Sequence, residues 1–391
     1  MTLVARSDDL ARLIDEGYDL EVRGGSLLVH HVPYVTSSGE VDRCILHSEL
    51  TTNGERTVRP GRHEVWVIGG IPHDHLGNKL SLVIEEGAID CGNGLTASCR
   101  VSGKLHGEHP ADYYIKISNT VRVLGQYARG ITPDVTHTDA PPREVSPDDS
   151  VFVYLDTASS RSLLSAVTDK LKMPKVAIVG LGGTGSYILD ILAKAPVGEI
   201  HLFDDDEFLA HNAFRAPGAA SLADVVLMPK KVEYFTDIYS RFRRGIVPHP
   251  RMIDDTNVDD LREMSFVFMS MEAGPVKKGI IDHLREWETP FVDCGMGLTR
   301  VENSLRGTVR ATSGSAGRYE HVERRISFGD IQANEYDLNM QTADLNMLNA
   351  AMAIIRWKKF CGYYTDSTDE RHSSYVVSSN MLISSENPNA D

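Results

Sequence analysis

Val176-Ala-Ile-Val179 runs directly into Gly180-Leu-Gly-Gly-Thr-Gly185, and this junction of apolar run and glycine turn decides the fold of the chain. A second apolar run, Glu199-Ile-His-Leu-Phe203, stops on Asp204-Asp-Asp206. Glycines let a nucleotide approach the backbone, and an acid ending the next strand suits ribose hydroxyls. A glycine turn that only packs helix on strand is the plainer alternative. The carboxylate at the end of the following run favours the nucleotide.

Outward from this junction, apolar runs of strand length alternate with helical periodicity, which implies a parallel sheet. Strands are expected at 176–179, 200–203, 266–269 and 291–293. Helices are expected at 185–194, 229–243, 275–286 and 340–360. Pro275 opens the third of these. In the last, Met340, Ala343, Met347, Ala350, Ala351, Ile354 and Trp357 spread over an arc wide enough to be buried between a sheet and a partner subunit.

The N-terminal part has a different pattern. Ser7 precedes Asp8 and Asp9, and Leu10, Leu13 and Ile14 share one helical face. Gly24-Gly25 separates two apolar segments in the manner of a hairpin. Further strands are expected at 64–68, 80–84, 97–101 and 113–117, and a helix at 120–128. The expected fold class is thus α/β: a Rossmann-like doubly wound sheet preceded by a smaller β-rich α+β domain. The expected domains are an N-terminal module at 1–140, a Pro-containing linker at 141–160, the nucleotide domain at 161–383 and a disordered polar tail at 384–391.

A chain of 391 residues exceeds what one core usually supports. Its net charge of −15 argues against nucleic acid and anionic membranes, both of which need a basic footprint. No run approaches the length of a membrane span, and the start lacks a signal-peptide pattern. Five scattered cysteines without a C-x-x-C pair suggest neither a disulfide framework nor structural zinc. A cytoplasmic protein is the expectation.

Beyond the acidic run lie Asn212-Ala-Phe-Arg215 and Lys230-Lys231. Triphosphate chemistry needs cations near oxygens that gain charge in the transition state. Arg215 and Lys231 supply that charge, and Asn212 a neutral donor. The plainer readings are a surface salt bridge for Arg215 and a solvated helix start for Lys230 and Lys231.

Residues 175–312 resemble the ThiF/MoeB/HesA family, bacterial relatives of ubiquitin-activating enzymes. Gly180, Gly182, Gly183 and Gly185 match its glycine loop, and Asp204-x-Asp206 with Asn212 and Arg215 match its D-x-D…N-x-x-R run. Met228-Pro-Lys-Lys-Val-Glu233 is similar to its P-K-(V/A)-E motif, with Lys231 the better match to the catalytic lysine and Lys230 the second. Where the family carries a magnesium-holding Asp after the next strand, this chain has Ser270-Met-Glu272, one methylene longer. Residues 3–135 resemble a domain of unknown function found ahead of ThiF-type domains in bacterial ubiquitin-like operons.

The resemblance implies ATP-dependent adenylation of the C-terminal glycine of a ubiquitin-like or sulfur-carrier protein, with loss of pyrophosphate. Asp204 would hold the ribose, and Asn212, Arg215 and Lys231 the phosphates. Asp206 and Glu272 would hold Mg2+, and Glu272 joins Arg215 and Lys231 as a catalytic candidate. It implies a homodimer, with Arg161 a candidate for an arginine given across the interface. A conjugating-enzyme-like acceptor and a JAB-type peptidase are possible further partners. The family's thioester-forming cysteine has no counterpart at 308–330; Cys294 reads as core and Cys361 as a weak nucleophile candidate. A nucleotide-binding scaffold without turnover, an NAD-dependent oxidoreductase and an enzyme activating a small carboxylate remain alternatives.

Overall fold

Leu10 and Leu13 are fully buried three residues apart and anchor the first helix, Asp8–Asp15 (α1). The computed structural model describes residues 6–54, 56–104, 107–139, 150–154, 156, 164–329 and 340–385. Two units make up the chain, Met1–Asp169 and Lys170–Asp391.

In the first unit, Leu20–Arg23 (β1) and Ser26–Val35 (β2) form a hairpin. Gly24 and Gly25 both take positive φ, the backbone that a two-residue hairpin turn requires. Val41–Glu49 (β3), Glu64–Ile68 (β4), Val83–Gly92 (β5) and Leu95–Ser102 (β6) complete an antiparallel sheet in the order β1-β2-β3-β4-β6-β5. Tyr113–Arg129 (α2) covers it. Leu27, Val29, Val65, Val67, Cys99 and Val101 from the sheet meet Tyr113, Ile117, Val121 and Leu124 from α2 in one core.

Two expectations for this unit are corrected. Residues 113–117 are the first turns of α2 rather than a strand: Asp112 Oδ1 accepts from the Ile115 N–H at 2.7 Å, and the buried residues recur at helical spacing. The alternation of Tyr113, Ile115 and Ile117 misleads because it also fits the start of this helix. The strand expected at 80–84 begins at Val83 and continues to Gly92.

The second unit is a mixed sheet with helices on both faces. Lys175–Val179 (β7), Gly183–Leu192 (α3), Glu199–Phe203 (β8), Lys231–Ser240 (α4), Ile246–His249 (β9), Phe266–Met269 (β10) and Pro275–Glu286 (α5) follow in turn. Next come the long hairpin Phe291–Val301 (β11) and Ser304–Gly314 (β12), the helix Ala343–Phe360 (α6), and the strands His372–Val376 (β13) and Met381–Ser385 (β14). The order is β9-β8-β7-β10-β11-β12-β13-β14, parallel through β11 and antiparallel beyond. The strand order reverses between β7 and β10, which opens a crevice at their carboxyl ends, the usual ligand position of doubly wound sheets.

Side-chain alternation splits the core. Val176, Ile178, Ile200, Leu202 and Phe268 face α3, α4 and α6, where Trp357 is fully buried. Ala177, Val179, Phe203, Val267 and Met269 face α5. Replacing a buried Trp by Ala typically costs about 3–5 kcal/mol. Met347, expected on the buried face of α6, is exposed, while Asn346 and Asn349 are buried there. The strand expected at 291–293 extends to Val301. Ser384 and Ser385, expected in the tail, belong to β14, and residues 386–391 lie outside the described residues. The linker expected at 141–160 falls largely outside them too. Among the described residues, no helix is long and apolar enough to cross a membrane.

Candidate functional site

Gly180 leaves β7 at φ +89°, a backbone that side chains disfavour, and its carbonyl accepts from Ser270 Oγ at 2.6 Å. A Cβ on Gly185 would fall 2.0 Å from that same carbonyl oxygen. The turn therefore closes only with glycine at both ends. Around Gly182, by contrast, nothing lies within 4 Å of the position a Cβ would take, so the turn is open on that side. Gly182 also caps α3 without a side-chain bond, which leaves backbone N–H groups for an anion.

Asp204 directly follows β8, beneath this turn. Its Oδ2 accepts from the Leu181 N–H at 2.6 Å, and its Oδ1 accepts from the Asp206 N–H at 2.9 Å. One carboxylate thus joins the glycine turn to the acidic run. Lys231 starts α4 and is buried; its Nζ lies 3.3 Å from Asp204 Oδ1 and 2.5 Å from Asp206 Oδ2. Lys230 turns away and donates to the Asp205 carbonyl at 2.7 Å. Of the two lysines, only Lys231 meets both predicted aspartates.

Asn212 is buried in a one-turn helix, Ala210–Ala213, where its Oδ1 accepts from the Leu209 N–H at 2.9 Å. That bond sets the turn leading to Arg215. Burial pulls the Arg215 guanidinium below its ordinary pKa, and the carboxylates of Asp206 and Glu272 oppose that shift. Arg215 Nε is buried with no hydrogen-bond partner among the described residues. Glu272 is exposed just after β10 and Ser270. The structure therefore gathers Gly180, Gly182, Gly183, Gly185, Asp204, Asp206, Asn212, Arg215, Lys231 and Glu272 at the carboxyl ends of β7, β8 and β10. Arg161 lies outside the described residues.

Carboxylate oxygens of Asp204, Asp205 and Asp206 lie within 4.8 Å of one another. Mg2+ takes oxygen ligands and is commonly held by one or two carboxylates together with substrate phosphates. Exposed Asp206 and Glu272, both acting on Arg215, fit such an ion in donor type. Cys294 is buried and its thiol is pushed up to about 12 by burial; burial also raises Cys361 to about 12. Neither is an activated nucleophile.

Sequence reasoning missed Thr184, Ser270 and Asn346. Ser270 Oγ holds the glycine turn, and Thr184 Oγ1 donates to Asn346 Oδ1 at 2.9 Å. Asn346 is remote in sequence and sits in what reads as an ordinary amphipathic helix, so no local signal marks it.

Fold and site together define a doubly wound α/β domain with a glycine turn, a strand-end carboxylate and a converging lysine and arginine. Residues 157–268 match the ThiF family and residues 8–157 match a domain of unknown function, DUF6791. The chain carries a ThiF family domain behind a DUF6791 module. Among solved structures, E. coli MccB with MccA-N7isoASN is 22% identical with a TM-score of 0.47, over 58% of this chain and 70% of that one. E. coli MccB with ATP is 21% identical with a TM-score of 0.45, over 58% and 70%. PaaA is 17% identical with a TM-score of 0.45, over 68% and 85%. No curated protein matches the chain.

Proposed function

We propose that the chain is an ATP-dependent adenylyltransferase that activates the C-terminal glycine carboxylate of a ubiquitin-like or sulfur-carrier protein. The observation carrying this reading is the convergence of buried Lys231 with Asp204 and Asp206 beside the glycine turn, with Arg215 acting against Asp206 and Glu272. The ThiF match supports it.

In this reading a carboxylate oxygen of the carrier attacks the α-phosphorus of ATP. The bond from that phosphorus to the bridging oxygen breaks, an acyl-adenylate forms and pyrophosphate leaves. The open side of the turn at Gly182 and the N–H groups starting α3 receive phosphate oxygens. Asp204 orients the ribose. Arg215 and Lys231 neutralise the charge that grows on the phosphates, and Asn212 holds the turn that presents Arg215. Mg2+, held by Asp206 and Glu272, would supply further charge neutralisation on the phosphates.

Phe214, Leu222, Val226 and Leu227 are exposed apolar side chains near Arg215 in sequence, which supports a homodimer that covers them. The DUF6791 module serves recognition or assembly, in the cytoplasm. With neither Cys294 nor Cys361 activated, the adenylate passes to a partner's cysteine or sulfur, as on a conjugating-enzyme-like acceptor. A JAB-type peptidase would act on the conjugate.

ATP–pyrophosphate exchange with a ubiquitin-like protein ending in Gly-Gly tests this. Exchange should require ATP, Mg2+ and the carrier. Arg215→Ala and Lys231→Ala should each lower it by roughly 10²–10³. Exchange unchanged in both variants would overturn the assignment.

A further inference from the structure

We infer that Asn346 is a positioning residue that fastens Arg215 to the glycine turn, so that the guanidinium and the turn act on one phosphate chain. This rests on the ATP reading above. Asn346 lies in the first turns of α6 and is fully buried. Its Oδ1 accepts from Thr184 Oγ1 at 2.9 Å, and its Nδ2 donates to the Arg215 carbonyl at 3.4 Å. A Cβ on Gly183 would fall 2.0 Å from Asn346 Nδ2, so glycine at 183 makes room for the amide. Three segments distant in sequence meet on this one side chain.

Arg215 needs such a fastening. Its Nε is buried without a partner among the described residues, so no described side-chain hydrogen bond at that atom holds it. Its backbone is held by the bond from its N–H to the Asn212 carbonyl at 3.0 Å and by the bond from Asn346. A buried amide carries a desolvation penalty that an aliphatic side chain would avoid. What the amide adds is orientation: one end reads the glycine turn and the other reads the arginine.

The test is isothermal titration of the full chain with Mg-ATP and, separately, with adenosine, which lacks the phosphates that Arg215 would meet. Asn346→Asp keeps the size and the acceptor for Thr184, but sets an anion against the Arg215 carbonyl. It should weaken Mg-ATP binding about tenfold while adenosine affinity changes by less than about threefold. Thr184→Val breaks the other bond and should shift the ATP-to-adenosine affinity ratio in the same direction, which decides the matter if Asn346→Asp does not fold. Equal losses for both ligands, or none for either, would overturn the inference and leave the adenylation reading standing. A wild-type chain that binds no Mg-ATP would sink both.

Discussion

Lys231 and Asp206 lie 2.5 Å apart but differ sharply in exposure, with the Lys231 side chain 6% exposed and that of Asp206 68%. The lysine is held from below by Asp204, and its outer partner faces solvent. The arrangement keeps a cation at the floor of the crevice while a carboxylate stays free to exchange partners.

That asymmetry separates stability from activity. Asp206→Asn should cost no more than about 1 kcal/mol, because an exposed partner is screened. Lys231→Ala strips buried Asp204 of its cation and should cost more, up to about 3 kcal/mol. Urea denaturation of the two variants checks this, and equal losses would contradict the geometry.

The glycines of the turn should divide in the same way. Gly185→Ala drives a methyl into the Gly180 carbonyl, a backbone atom that cannot swing aside, and should lower the melting temperature by several degrees. Gly182→Ala meets nothing within 4 Å and should fold normally, yet weaken Mg-ATP binding by crowding the phosphates. Thermal melts paired with titration calorimetry read both effects.

In the first unit, burial lowers the His47 pKa from 6.5 to about 4, with the Lys116 charge adding to the effect. The folded state therefore prefers neutral His47. Its contribution is complete above the unfolded pKa of about 6.5 and is lost as pH falls toward 4, to a total of about 3 kcal/mol. His47 Nε2 lies 2.9 Å from Ser26 Oγ, so His47→Gln keeps a polar partner there without titrating. Stability measured against pH should fall across that window in the wild type and flatten in the variant.

Lys116 and Glu49 form a buried ion pair at 2.8 Å, and Glu49 Oε1 also accepts from the Arg62 N–H at 2.9 Å. Lys116→Met alone strands a buried carboxylate and should cost about 3–5 kcal/mol. Lys116→Met with Glu49→Gln should recover much of that loss. A double-mutant cycle by chemical denaturation measures the coupling; additive losses would contradict it.

What was legible in the sequence was local. The strand, turn and helix at 175–192 announce themselves because the glycines, the apolar periodicity and Asp204 all lie within one β-α-β unit. That β7, β8 and β10 run parallel follows from the same alternation, but their order does not, and β9 at Ile246–His249 had no matching expectation. The β11–β12 hairpin was not legible beyond Asp293, because Gly295 and Gly297 interrupt the apolar run and pairing with Arg310 and Thr308 continues the strand instead. The helix start at Tyr113 was misread because alternation over a few residues fits both periods. Asn346 meets Thr184 across 162 positions, and no window along the chain brings such partners together.

The most direct measurement is intact-mass analysis of a ubiquitin-like protein ending in Gly-Gly after incubation with the chain, Mg2+ and ATP. One AMP gained by that protein, and lost with Arg215→Ala, is the expected result. A carrier that stays unmodified while the chain turns ATP into ADP and phosphate would contradict it.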